Sequence, residues 1–225
     1  MTPPPPLELA DDCLVLGQRL GEWASRAPTL EEDVAILNIS LDLLGVARTL
    51  YGGIGDEDEL AFLRLEPDFR NCLLVELPNG DFGQTMARQL LFSAWQVLVW
   101  ESLLDSNDVL LAGVAGRAVK EARYHLDHAS AWVARLGDGT AESHARVQAG
   151  LDAAWPYVFE LFETMPELEA SWRATVLPVL TTATLSEPET TWRPSGGRRG
   201  QHTEHLGYLL AEMQSLHRAH PGATW

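Results

Sequence analysis

The sequence predicts an all-α fold, and three observations carry that expectation. Helix start and stop signals recur along the chain, among them Thr29-x-x-Glu32, Asp81-x-x-Gln84 and Gly137. β-Branched alternation is sparse. No hairpin turn is flanked by strand patterns.

The first helical pattern runs from about residue 7 to 26 and contains "DDCLVLGQRLGEW", with Pro28 beyond its end. A short Pro-rich tail precedes it. The second runs from about 29 to 51; Thr29 and Glu32 form a capping box, and Gly52-Gly53 is the expected stop. This helix is apolar nearly all round from Val34 to Ala47, which predicts a place in the middle of a bundle. Residues 52 to 80 form a longer connection with an acidic start, "GDEDE", and a turn at Pro78-Asn79-Gly80. The third helix is expected over about 81–105 and the fourth over about 109–136, with Gly137 as the residue after its end. Extra helices fill about 140–219. Thr140 caps a fifth that reaches about Thr164, and Pro166 opens a sixth that Pro178 interrupts or ends. A Pro- and Gly-rich loop, "EPETTWRPSGGRRG", precedes a last helix over about 201–219.

Two helices joined tightly, a long crossover, then two more joined tightly is the order of a ferritin-like four-helix bundle. The expectation is a single domain over 1–225 with the later helices packed outside that core.

The chain has 225 residues, enough for a substantial core, and 46% are hydrophobic, which excludes global disorder. No apolar run reads as a membrane span, and no targeting pattern opens the sequence, so a cytoplasmic location is expected. The net charge is −16 with one lysine, Lys120. Such a chain repels nucleic acid and anionic membranes. Cys13 and Cys72 each sit in an apolar run and read as buried thiols.

A ferritin-like bundle raises the question of a di-iron centre. Such a site takes a Glu from each of two helices and a Glu-x-x-His from each of the other two. The first of the seven histidines is His125, so the first three helices contain none. No glutamate stands three residues before any histidine. "KEARYHLDH" at 120–128 comes nearest, but Glu121 and His125 are four apart and read as a helical pair. Asn38 and Asp42 lie four apart on the most apolar helix. A polar core network with Arg123, His125 or a group on the first helix is expected there, because an unpaired buried polar group costs about 1–3 kcal/mol.

His202 and His205 share a face at the start of the last helix and read as a polar cluster. Arg198 and Arg199 in "GGRRG" are candidates for a partner contact or for phosphates, since backbone amides and two guanidiniums suit an anion. The tryptophans Trp23, Trp95, Trp132, Trp155, Trp172 and Trp192 read as core or interface. There is no Walker loop, no Gly-x-Gly-x-x-Gly and no locally supported catalytic triad.

The segments "DDCLVLGQRLGEW", "NISLDLLGVAR", "LLVELPNGDFGQTMARQ", "KEARYHLDHASAWVARLGDGT" and "GGRRGQHTEHLGYLLAEMQSLHRAHPGATW" occur in this order over nearly the whole chain. Together they resemble the C-subunit family of the ring 1,2-phenylacetyl-CoA epoxidase complex. The resemblance implies a ferritin-like, non-catalytic member of an assembly for aerobic phenylacetate degradation. A catalytic sister, the A-subunit of that complex, would carry the di-iron centre and bind the CoA thioester. NADPH would supply electrons through a separate flavin and iron–sulfur reductase. Aligned with that sister, the positions of one Glu-x-x-His hold Leu43 and Val46 here, and those of the other hold Ala122 and His125. No cofactor is then expected in this chain, and the isolated chain should self-associate. Two other readings are a non-standard metal centre around Glu121, His125 and Asp42, and a CoA-ester binding module using Arg198 and Arg199.

Overall fold

The computed structural model describes residues 4–223. The first three residues of the Pro-rich tail lie outside them. Eight α-helices and several shorter helical turns appear among the described residues, with no strand. The chain is all-α with the ferritin-like order of elements: two helix pairs separated by a long connection.

The residues fall into two compact units, 4–78 with 196 onward, and 79–195. The first holds α1 (Pro6–Gly21), α2 (Leu30–Ile54), the connection, α7 (Glu204–Met213) and α8 (Ser215–Ala219). Pro6 starts α1, where its missing N–H costs nothing, and Thr29 Oγ1 caps α2 by accepting from Glu32 N at 3.3 Å. The pair is antiparallel. Tyr51 on α2 reaches Asp11, while Ser40 Oγ donates to Gly17 O at 2.7 Å, so one chain rises as the other falls. Gly17 lets the two helices approach closely: a Cβ would lie 3.1 Å from the Leu44 side chain and 3.3 Å from Ser40 O.

The second unit holds α3 (Phe82–Leu103), α4 (Val109–Gly137), α5 (Ala141–Ala154) and α6 (Glu169–Thr182). Asp81, Asp108 and Thr140 cap α3, α4 and α5 through their side-chain oxygens. α3 is the hub of this unit, buried on almost every side. Trp95 Nε1 donates to Leu161 O at 3.0 Å and Trp172 Nε1 to Leu91 O at 2.9 Å, so the indoles pack without leaving an unbonded donor. Phe82 meets Trp132 edge-on at 4.9 Å, and Glu101 pairs with Arg123, which makes α3 and α4 antiparallel as well.

Several boundaries differ from the sequence expectation. α1 stops at Gly21 rather than near residue 26, and Ser25 turns the chain with φ 65°. Gly52 and Gly53 do not end α2; it continues to Ile54 and leaves at Gly55. α5 ends at Ala154, and Pro156 shifts the chain into a 3-10 run over Trp155–Phe162. Pro178 lies inside α6 without ending it. The last helix breaks at Gln214, whose buried amide donates to Ala61 O and Arg64 O, both at 3.1 Å. One helix, Leu30–Ile54, is long and apolar enough to cross a membrane by length and composition. Asp42 sits within it, and the expectation that no run reaches that length gives such a charge too much weight.

Candidate functional site

Leu43, Val46, Ala122 and His125, which the resemblance would align with the iron ligands of a catalytic sister, are all buried. Three of the four carry no donor atom. Among the described residues no group of three or more His, Cys, Asp or Glu side chains is placed to hold a metal. The residues present do not fit a di-iron centre. Glu121 does not use His125 as its helical partner either: its carboxylate accepts from Arg117 Nε at 2.6 Å.

The expected polar core network is not a core feature. Asn38 and Arg123 are exposed, and Arg123 donates to Glu101 at 2.8 Å. Asp42 is half-buried, and of these four only His125 is buried. The physical reason lies in α2. It is apolar nearly all round, yet one side faces outward, and Asn38 stands on that side. The phosphate reading of Arg198 fails for a different reason. Its guanidinium is almost wholly buried and holds Asp12 with two bonds, Nη1 to Oδ1 at 3.0 Å and Nη2 to Oδ2 at 2.7 Å. Arg199 is exposed.

A polar cluster that the sequence does not announce occupies the first unit. Asp11 and Asp12, consecutive on α1, are both buried. Asp11 accepts from Tyr51 Oη, from both Arg64 Nη atoms and from Arg70 N at 2.7 Å. Asp12 accepts from Cys72 N at 2.7 Å besides Arg198, and Arg198 also donates to Arg70 O at 2.8 Å. Burial opposes the charge on Arg198, yet the Asp12 carboxylate beside it holds this guanidinium above its ordinary range. Burial, and then the Asp11 charge, raises the Tyr51 phenol well above its usual range.

The other end of the cluster is Glu76. One carboxylate oxygen takes His202 Nδ1 at 2.6 Å and Asn71 Nδ2 at 2.8 Å; the other takes Thr203 N and Oγ1 at 2.8 and 2.7 Å. His202 Nε2 faces Phe69 O at 3.1 Å, so each ring nitrogen meets an oxygen. Arg19 binds Glu76 O and His205 O. One signal in the sequence points here: two adjacent acids in "ELADDCLVLG", with apolar residues on both sides.

With this geometry in view, the comparisons decide the family. The phenylacetic acid catabolic protein family matches residues 6–225. The chain belongs to that family. The C-subunit of the Escherichia coli (strain K12) 1,2-phenylacetyl-CoA epoxidase is 45% identical over 240 residues, spanning 97% of each chain.

In this member of the phenylacetic acid catabolic family, the cluster ties α1 to the connection and to the segment before α7. Asp11 and Asp12 answer the guanidiniums of Arg64 and Arg198, while Glu76 is held by His202, Asn71 and Thr203. A cavity of about 560 Å³ opens between α1, α2 and residues 57–62, with Leu14, Leu44 and Phe62 on its walls. Of its charged groups Arg48, Glu57 and Asp58, the first two bond each other. The cavity does not include Asn38, Asp42, Arg123, His125, Arg198 or Arg199.

Proposed function

We propose that this chain is a non-catalytic structural component of a cytoplasmic phenylacetyl-CoA 1,2-epoxidase. It supports the di-iron catalytic subunit, its principal partner. In that assembly one oxygen atom of O2 enters the aromatic ring of phenylacetyl-CoA, with NADPH as electron source through a separate reductase. The observation that supports this reading is the set Leu43, Val46 and Ala122, apolar and buried at positions that the resemblance aligns with the iron ligands of a catalytic sister. Apolar side chains cannot ligate iron, so the metal chemistry falls to the partner.

Co-expression with the catalytic subunit, followed by pull-down and metal counting on each chain, tests the proposal. The two chains should co-purify, with iron following the partner. Stoichiometric iron on this chain alone, or no stable complex, would overturn it.

A further inference from the structure

This inference rests on the proposed role and names the surface that serves it. α2 turns one side to α1 through Ser40, Leu44 and Tyr51. An adjoining face carries Leu30, Val34, Asn38 and Leu41, which steps of three and four residues hold together. Leu30, Val34 and Leu41 are 76%, 52% and 64% exposed. A lone exposed leucine needs no explanation, but three large apolar side chains in one stripe mark a contact surface. Only 44% of the most apolar stretch of α2 is buried within this chain.

The charges beside the stripe choose its occupant. Glu31, Glu32 and Asp33 fill the first turn and Asp42 stands at the edge. The one basic residue of α2, Arg48, already binds Glu57 through both carboxylate oxygens. A second copy would bring the same negative excess, and an anionic bilayer would repel it. The geometry points to the outer face of α2 as the docking surface for the catalytic partner. The partner presents a helix whose apolar residues, at matching three- and four-residue spacing, are flanked by lysine or arginine.

The test uses the full chain co-expressed with its catalytic partner, as wild type and as the Val34→Glu, Leu41→Glu double variant. Both substitutions sit at exposed sites, so the variant should keep its circular dichroism spectrum. Recovery of the partner should fall about tenfold or more. Hydroxyl-radical footprinting of the wild type, which needs no variant, should show Leu30, Val34 and Leu41 protected in the complex. Undiminished recovery, or labelling unchanged by the partner, overturns the inference. So does a stable low-salt dimer of the chain alone that the variant abolishes, or binding to phosphatidylglycerol vesicles that the variant abolishes. If the wild type fails to recover the partner, the failure lies in the proposed function itself and takes this inference with it.

Discussion

Arg198 and Glu8 are neighbours with opposite consequences for stability. Arg198 answers the fully buried Asp12 with two bonds. Removing it in Arg198→Ala leaves a carboxylate in a site that water does not reach. Breaking a buried pair in this way costs about 3–5 kcal/mol. Urea unfolding should show that loss as a lower midpoint, while Arg199→Ala, at an exposed site, should barely move it. Glu8 has a weaker hold, with its carboxylate 3.6 Å from Arg198 Nε. Burial outweighs that attraction and raises its carboxyl above the ordinary range. The folded state therefore holds the Glu8 proton more tightly than the unfolded state, and stability falls as pH rises through this window. Glu8→Gln removes the dependence. It should melt higher than wild type at pH 7, and the gap should close as pH falls below the ordinary glutamate range; a gap that persists there would mean that packing, not charge, is responsible.

At the level of elements, the sequence reveals what local chemistry decides. Asp81 and Thr140 cap the helices that their spacing predicts, because a side-chain oxygen three residues ahead of a free amide needs no tertiary partner. Gly137 is the last residue of α4 and not the one beyond its end, and it is glycine for a reason the sequence does not contain: a Cβ there would lie 2.3 Å from Ala183 O on a distant segment. The same limit hides the cluster. In sequence Asp11 and Asp12 look like ordinary helix acids, and their partners Arg64, Arg70 and Arg198 stand 53 to 186 residues away. α2 misleads in the other direction. An all-round apolar helix reads as a central one, but hydrophobicity does not distinguish a face covered by its own chain from a face reserved for another. The same logic puts Asn38 in the core, and Asn38 is exposed.

For the molecule as a whole, charge and apolar surface pull against each other. The 32 acids outnumber the 16 lysines and arginines, and several arginines, among them Arg48, Arg64, Arg117 and Arg173, are already tied to carboxylates of the same chain. The surface that remains is strongly negative, and copies of the chain repel one another. Leu30, Val34 and Leu41 on α2 favour association, as does Val109 at the start of α4, which is 87% exposed. Salt decides the balance. The screening length falls from about 30 Å at 0.01 M to about 3 Å at 1 M ionic strength, which removes the repulsion and leaves apolar attraction intact. Light scattering on the purified chain should therefore find monomer at low salt and a growing oligomer fraction as salt rises. The Val34→Glu, Leu41→Glu variant should form fewer oligomers than wild type at every salt concentration above the lowest. Oligomers that dissolve as salt is added would show that paired charges hold them, and the apolar face of α2 would lose its part in assembly.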